Sequence, residues 1–250
     1  MNLAEPFREH GEHIAVELSG ARALFTTRRG GVSDGPYTSL NLGRWTEDRP
    51  ESVEHNRSAL AHRLGVRFAY GRQVHGTHVQ RVRDEPPAEP AVPQVPPAEA
   101  DGQATILAGV APMVLTADCL PVAVAGGGAV AMLHAGWRGL AGGIVPAGVA
   151  AIRELAGDAP LTAAIGPGAG PCCYEVSEEV HQAFAARSAD ERRGRNLDLK
   201  AIAALELARA GVGEVHDVGL CTICSDRTLF FSHRREHGVT GRQAGIAWLS

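Results

Sequence analysis

The sequence predicts a mixed α/β fold, in which mixed sheets are flanked by helices. Two apolar runs joined by three glycines, near the middle of the chain, predict a β-hairpin. Several longer segments carry apolar residues at helical spacing, and short strand-like runs lie between them. Because strands and helices do not alternate strictly, we expect mixed rather than purely parallel sheets.

In the first part of the chain, residues 23–27 predict a strand that leads into a glycine-rich loop at residues 28–36. Ser52 is predicted to cap a helix that runs to Leu64 and ends at Gly65. Residues 67–74 predict a returning strand.

After the hairpin, a helix is predicted near residues 140–155 and a strand at residues 161–165. Ser177 is predicted to cap a further helix, and Asn196 or Asp198 to start another. The remaining predicted strands lie near residues 214–218, 228–232 and 244–249.

Composition excludes several classes of protein. The chain has 250 residues, and 44% of them are apolar. It contains five cysteines, an odd number, and its first residues do not resemble a secretory signal peptide. We therefore expect a reducing compartment, the cytoplasm. No window approaches the ~18 consecutive apolar residues of a membrane span. A net charge of -4 argues against a nucleic-acid partner, and the arginine cluster at residues 192–195 is predicted to be a solvated loop. No obligate protein partner is evident.

A proline-rich run interrupts the chain. Residues 86–97 hold six prolines, which predicts an extended surface loop over about residues 85–99. Because one candidate ligand, His75, precedes this run and another, Cys119, follows it, we expect a single domain over residues 1–250.

The predicted hairpin carries a cysteine and a histidine at the ends away from its turn. If the turn is centred on Gly127, antiparallel pairing sets Cys119 opposite Ala135. One bulged residue, which Pro121 favours, would then bring Cys119 against His134.

A thiol and an imidazole at one strand end suit either a transition metal or an activated thiolate. The next histidines upstream are His75 and His78. Two histidines and one cysteine would leave a tetrahedral zinc ion one open position, as in catalytic sites. A buried structural cysteine beside a hydrogen-bonded histidine is the alternative, and the residue types alone leave the choice open.

Nine short motifs, in order, connect the chain with a known family: FTTRRGGVS (25–33), SLNLG (39–43), QVHG (73–76), TADC (116–119), HAGWRG (134–139), IGP (165–167), CCYEV (172–176), CT (221–222) and GRQA (241–244). In content and order they closely resemble the YfiH/laccase-domain family. The first twenty residues and the proline-rich loop fall outside this resemblance.

That family was described as a polyphenol oxidase or multicopper laccase, and its members are now described as zinc-dependent purine nucleoside enzymes. The resemblance implies phosphorolysis of adenosine, inosine, guanosine and methylthioadenosine to free base and (deoxy)ribose 1-phosphate, with deamination of adenosine to inosine. Nucleoside and phosphate would then be the small-molecule partners. The family's zinc ligands fall on His75, Cys119 and His134. Its fold is an α/β/β/α sandwich, shared with a class of cysteine-dependent deamidating toxins.

Deamination needs a group that moves protons, and Asp118, next to Cys119, is the first candidate by position. Neighbouring residues of a strand point to opposite faces, so Asp118 has an alternative role in orienting a ligand or capping the strand.

Phosphorolysis needs an anion site beside the sugar, because phosphate captures an oxocarbenium-like state. Arg28, in the glycine-rich loop with Arg29, and Arg138, where a strand turns into a helix, are the candidates. Asn41 and Arg57 are weaker candidates for the substrate pocket, since Asn41 also suits a turn hydrogen bond and Arg57 an apolar helix side.

The other four cysteines are assigned no catalytic role. Cys221 and Cys224 have the spacing of redox and zinc motifs, but no second pair of that spacing completes a four-cysteine site, which favours a structural thiol pair. Adjacent Cys172 and Cys173 do not easily form a disulfide with each other.

Three other classes remain open. A copper oxidase would use the same two histidines and cysteine with an axial methionine, for which Met132 is a candidate, although core packing is its expected fate. A metal-free cysteine hydrolase would use Cys119 as nucleophile and His134 as base, and would not need His75. The third is a non-catalytic binding module.

Overall fold

The computed structural model describes residues 1, 3–88, 97–185 and 192–250. Most of the predicted proline-rich loop, residues 89–96, lies outside the described residues. The strands are β1 (Arg8–His10), β2 (His13–Leu18), β3 (Ala21–Phe25), β4 (Arg67–Ala69), β5 (Val79–Val82), β6 (Gly102–Thr105), β7 (Val110–Thr116), β8 (Leu120–Gly126), β9 (Ala129–Ala135), β10 (Thr162–Ile165), β11 (Arg192–Arg193), β12 (Asn196–Leu197), β13 (Glu214–Asp217) and β14 (Gln243–Leu249). The α-helices are α1 (Pro50–Leu64), α2 (Trp137–Gly142), α3 (Ile144–Ala156), α4 (Glu178–Ala185) and α5 (Leu199–Arg209).

Two six-stranded mixed sheets form the centre of the fold. Sheet I has the strand order β1-β2-β3-β14-β7-β4, and sheet II has the order β13-β10-β8-β9-β6-β5. Each sheet combines antiparallel with parallel pairs: β4 runs parallel to β7 in sheet I, and β10 runs parallel to β13 in sheet II. The predicted mixed α/β class is therefore confirmed.

The sheets pack face to face through small and apolar side chains. Phe25 and Val114 of sheet I meet Ala123, Met132 and Ala164 of sheet II in one buried cluster. The sheets approach closely because β14 carries a glycine where β9 carries its methionine: a Cβ at Gly245 would lie 2.9 Å from the Met132 sulfur.

Helices cover both outer faces. On sheet I, Leu60 of α1 packs with Phe68 and Ile246. On sheet II, α3 and α5 bury apolar side chains such as Val149 and Ile202 against the sheet. The layers therefore run helix, sheet, sheet, helix, as the family resemblance implied. Within the described ranges, every helix falls short of the length and apolar character that crossing a bilayer requires.

The β8–β9 hairpin corrects the predicted register by one residue. Its turn consists of Gly127 and Gly128, which both have positive φ, 61° and 81°, as a two-residue hairpin turn requires. Pro121 consequently pairs with His134 in a continuous ladder, and the predicted bulge is absent from it. Cys119, two residues before Pro121, lies diagonally from His134 on the same side of the sheet.

Several predicted boundaries at helices were also wrong. Helix α1 begins at Pro50, whose fixed φ suits the first helical position, so Ser52 lies inside the helix and does not cap it. The helix predicted near residues 140–155 is two helices, because Gly143, with φ 100°, separates α2 from α3. Asp198 caps α5 by accepting the backbone N–H of Ala201 at 3.0 Å, as one of the two alternatives predicted.

Two strand predictions and one loop prediction also differ from the structure. Only Arg67–Ala69 of the predicted strand at residues 67–74 forms a strand. Residues 228–232, also predicted as a strand, are a turn followed by irregular backbone. Arg192–Arg193, predicted as loop, is an exposed strand that pairs with β12 in a short hairpin.

Candidate metal centre and substrate cavity

Three metal-ligating side chains converge beside the end of β9. The ligand atoms of His75, Cys119 and His134 all lie within 4.8 Å of one another. The two imidazole rings meet edge to face, with centroids 4.9 Å apart. Two imidazoles and a thiol are a donor set suited to zinc or copper, so the residues fit a transition metal.

The buried carboxylate of Asp101 positions both histidines. His134 Nδ1 donates to Asp101 Oδ1 at 2.8 Å, and the same carboxylate accepts the backbone N–H groups of Val74, His75 and Gly76 at 3.0, 2.9 and 2.8 Å. Because an ionised carboxylate only accepts, the Nδ1–H tautomer is fixed and Nε2 of His134 is left for a metal. The sequence analysis missed Asp101; an acid directly before β6 carries no local signal of this role.

Electrostatics favour a thiolate at Cys119. Burial opposes ionisation of the thiol, but the charge of His134 and hydrogen bonds from His134 and His75 outweigh it and lower the pKa of Cys119 to about 6. Burial also opposes protonation of His134, yet the thiolate and Asp101 raise its pKa to about 9. Without a metal, these two residues form a thiolate–imidazolium pair, which suits either a metal ligand set or a nucleophile.

Two residues of the site adopt left-handed backbone conformations that side chains other than glycine rarely occupy. His75 has φ 60° and is held by Asp101, while Asp118 has φ 93°. Asp118 Oδ1 accepts the Thr222 hydroxyl at 2.7 Å, and Oδ2 accepts the Arg234 backbone N–H at 2.8 Å. Both carboxylate oxygens of Asp118 are therefore engaged with the neighbouring loops.

Gly136 allows the ligands to approach the helix that follows β9. A Cβ at this position would lie 2.9 Å from the Cys119 sulfur and 3.1 Å from Cδ2 of His75. Any side chain here would displace Cys119 or His75, so this position of the HAGWRG motif requires glycine for steric reasons.

The three ligands line a cavity of about 550 Å³. Its wall includes three large aromatic residues, Trp45, Trp137 and Tyr174. Four arginines also line it, and Asp118 is the only acid among the described lining residues; the arginines are Arg72, Arg138, Arg234 and Arg242. A cavity of this size and charge suits a small anionic ligand that carries a flat ring.

Three of these arginines differ in how firmly they are held. Arg138 is exposed and stacks on Trp137 at 4.2 Å, and no ion pair ties it within the part of the chain that the structure describes. Arg234 stacks on Tyr174 at 4.8 Å. Arg242 donates to two backbone carbonyls, at 3.0 and 2.9 Å, and burial lowers its pKa. Of these, sequence reasoning found only Arg138; the GRQA motif was the available signal for Arg242.

Three residues predicted to bind substrate lie outside the cavity lining. Arg28 pairs with Glu236 at 2.8 Å and stacks on Phe231. Arg57 is 1% exposed and donates to the carbonyl of Leu42 at 3.1 Å. The structure thus brings neither arginine to the ligand cluster.

Asn41 is the third of these residues, and it organises the cavity wall from behind. Its Oδ1 accepts the backbone N–H groups of Gly43 and Arg242 at 3.0 and 2.9 Å, and its Nδ2 donates to Thr46 at 2.8 Å. All three partners line the cavity. Asn41 therefore positions the wall, and Oδ1 and Nδ2 are both used for that purpose.

Two further candidates lie apart from the ligand cluster. His78 is exposed and is not among the residues that gather around Cys119. Met132 lies in the core between the sheets, against Gly245. The prediction of core packing for Met132 is confirmed.

Together, the fold and the site define an α/β/β/α sandwich with a His₂Cys ligand cluster in an arginine-rich cavity. Residues 22–250 match the family model described as multi-copper polyphenol oxidoreductase laccase, and the chain belongs to this YfiH/laccase-domain family.

Curated relatives cover nearly the whole chain. A protein of Pseudomonas aeruginosa is 41% identical over 239 residues, which is 91% of this chain and 93% of that protein. A protein of Streptomyces coelicolor is 41% identical over 244 residues, 93% of this chain and 97% of its own length. Both are named purine nucleoside phosphorylase.

Solved structures share the fold. YfiH of Bacillus licheniformis superposes with a TM-score of 0.89 at 31% identity, covering 99% of this chain and 100% of its own. YlmD of Geobacillus stearothermophilus gives a TM-score of 0.85 at 33% identity and covers 97% of both chains.

The substitution Asp101→Asn tests the positioning of the ligands. We expect it to weaken metal affinity by about 10–100-fold, because the amide loses the charge that orients His134 and holds the His75 turn. A competition titration with a coloured chelator measures the affinity, and circular dichroism confirms that the variant is folded. Asp158→Asn, an identical change at an exposed acid, is the matched control. Equal affinities for the two variants would contradict the assigned role of Asp101.

Alkylation of the metal-free protein tests the thiolate. The reaction rate of Cys119 with iodoacetamide should rise with pH through an apparent pKa of about 6, because only the thiolate reacts. Mass spectrometry of the peptide that contains Cys119 separates this residue from the other cysteines. His134→Gln should move the midpoint upward toward an ordinary thiol value of about 8.5; an unchanged midpoint would contradict the pairing.

Proposed function

We propose that this protein is a zinc-dependent purine nucleoside phosphorylase that converts adenosine, inosine, guanosine and methylthioadenosine, with phosphate, into free base and the corresponding sugar 1-phosphate. Deamination of adenosine is a second activity of the same site in this proposal. The observation that carries it is the combination, in one cavity, of the His₂Cys cluster with aromatic residues and arginines. The names of relatives about 41% identical support an enzyme of purine nucleoside phosphorolysis.

The arginines suit the phosphate. A phosphate ion carries more than one negative charge, and guanidinium groups bind it through paired hydrogen bonds. Arg138 is the best placed for this role, because it lines the cavity while its guanidinium stacks on Trp137 without a charged partner among the described residues. Arg234 and Arg242, from the connection between β13 and β14, add positive potential to the cavity.

The aromatic residues suit the base. A purine is flat and polarizable, and Trp45, Trp137 and Tyr174 present ring surface to the cavity. Trp45 is 61% exposed, so a ligand that covers it would remove apolar surface from water. Arg138 and Arg234 stack on Trp137 and Tyr174. In this proposal the base therefore lies against Trp45 and the phosphate at the two arginines, with the glycosidic bond between them.

His75, Cys119 and His134 would hold the zinc ion. When bound there, zinc supplies a Lewis acid at the cavity wall. Asp101 keeps His134 in the tautomer that binds metal, and the lowered pKa of Cys119 keeps the thiol ionised at neutral pH. The two donors on Asp118 favour a positioning role for this carboxylate over proton transfer in our proposal.

A cysteine hydrolase is the second candidate, and one observation favours it. A hydrogen-bonded chain of thiol, imidazole and carboxylate groups is formed by Cys119, His134 and Asp101. Such a chain can activate a cysteine as a nucleophile. His75 distinguishes the two functions, because only the metal site needs this second imidazole.

Adenosine turnover with and without phosphate tests the main proposal. Zinc-loaded protein should release adenine only when phosphate is present and inosine in either case, and a chelator should remove both activities. Chromatography resolves adenine, inosine and hypoxanthine. His75→Ala should abolish turnover through loss of the metal. If zinc-replete protein forms no purine product, the phosphorylase proposal is wrong; thiol-dependent amide hydrolysis that survives His75→Ala would favour the cysteine hydrolase.

Arg138→Ala tests the anion site. We expect the phosphate KM to rise by about 10-fold or more, because a hydrogen-bonded charge contact of about 1.5–3 kcal/mol is lost. The nucleoside KM should change much less. Arg28→Ala, outside the cavity, is the comparison and should leave the phosphate KM unchanged once melting curves confirm that it folds. The reverse pattern would place phosphate at the glycine-rich loop.

A further inference from the structure

Four cysteines gather at a second place, away from the cavity lining. The sulfur atoms of Cys172, Cys173, Cys221 and Cys224, the four-cysteine cluster, all lie within 4.8 Å of one another. Cys172 and Cys224, 52 residues apart in sequence, have sulfurs only 3.5 Å apart. We propose that the four-cysteine cluster is a second metal site, which binds one zinc ion through four thiolates and fastens the loops behind the cavity.

Backbone hydrogen bonds bring the two cysteine pairs together independently of any metal. Gly168 forms a parallel bridge with Cys221, and Thr222 donates its N–H to the carbonyl of Gly168 at 3.0 Å. Gly170 then donates its N–H to the Cys221 sulfur at 3.2 Å. The turn that carries Cys172 and Cys173 is thereby fixed beside the segment that carries Cys221 and Cys224.

The turn at Cys221 is arranged to stabilise a thiolate. Besides Gly170, the backbone N–H groups of Ile223 and Cys224 donate to the Cys221 sulfur. Arg235 steadies the same turn by donating to the carbonyl of Thr222 at 2.7 Å. A cysteine whose sulfur accepts several N–H groups within a two-residue Cys-x-x-Cys spacing is typical of zinc-binding turns.

The four sulfurs are too close together to carry four separate charges. They all lie within 4.8 Å of one another, and the Cys172 and Cys224 sulfurs are 3.5 Å apart. Four thiolates this close repel one another strongly unless a positive ion lies between them. A divalent ion would offset this repulsion, so the arrangement is complementary to a metal and unfavourable as four separate thiolates.

The distances indicate a single ion with four sulfur ligands. A zinc–sulfur bond of about 2.3 Å places tetrahedral sulfurs about 3.8 Å apart. The Cys172 and Cys224 sulfurs are 3.5 Å apart, and no pair in the cluster exceeds 4.8 Å, so the separations lie around this spacing. An iron–sulfur cluster would hold its cysteines farther apart, around several metal atoms. Four protein ligands also leave no open position, which defines a structural rather than a catalytic ion.

The position of the cluster explains what such an ion would do. Tyr174, which lines the cavity, directly follows Cys173, and Thr222, which holds Asp118 at 2.7 Å, directly follows Cys221. Asp118 in turn precedes Cys119 of the first ligand set. An ion in the four-cysteine cluster would therefore anchor two segments of the cavity wall while touching no substrate.

Metal content per chain tests this proposal without relying on phosphorolysis. Full-length protein, purified under reducing conditions and reconstituted with Zn²⁺, should hold about one ion per chain more than the double variant Cys221→Ser/Cys224→Ser. The matched variant Cys119→Ser removes a ligand of the other cluster and should retain the ion in question. When Cys119→Ser protein is loaded with Co²⁺, it should show the intense visible and near-ultraviolet absorption of tetrahedral cobalt thiolate. Equal zinc contents of wild type and double variant would overturn the proposal.

A measurement on unmodified chain keeps the test valid if the double variant does not fold. In the zinc-loaded protein, all four thiols should resist a thiol reagent, although Cys172 and Cys224 are exposed, and they should become reactive when a strong chelator is added. Chelation should also lower Tm by about 5–10 °C. Immediate reaction of the exposed thiols in the zinc-loaded protein, before chelation, would show that the cluster does not bind metal.

Discussion

The site depends on the hydrogen bonds that the buried carboxylate of Asp101 accepts. A buried charge is tolerated only when donors surround it, and this one receives the His134 ring and the three backbone N–H groups of the His75 turn. The need to satisfy one buried anion therefore fixes an imidazole on β9 and a loop far from it in sequence. Cys119 completes the candidate ligand set from the bend directly before β8, the other strand of the hairpin.

The cavity wall is built by loops whose polar contacts are similarly interlocked. Asp118 connects the Cys119 segment to Thr222 and to the Arg234 backbone, and Asn41 connects the loop after β3 to Arg242. Each contact joins segments that leave the sheets at the same end. Cys221 of the four-cysteine cluster directly precedes Thr222, which belongs to this network. The proposed structural ion and the proposed catalytic ion would therefore act on a common set of loops.

Much of the fold could be predicted because local chemistry decides it. The three glycines predicted the hairpin. The sequence also predicted the end of α1 at Gly65, which adopts a left-handed conformation, and gave Asp198 as one of two candidates for the start of α5. Predictions failed where one local signal competed with another: Pro50 started the helix ahead of Ser52, and a glycine divided α2 from α3. The hairpin register was wrong by one residue, because sequence shows that glycines make the turn but not which two of them do.

The sequence by itself determined the fold class, the family through its motifs, and the candidate ligands His75, Cys119 and His134. The tertiary structure alone decided that Asp101 orients them, that Arg234 and Arg242 rather than Arg28 face the cavity, and that the two cysteine pairs form one cluster. The physical reason is that periodicity and capping act between neighbours along the chain, whereas these contacts join segments tens of residues apart. Only the packing of the sheets and their loops brings such segments together.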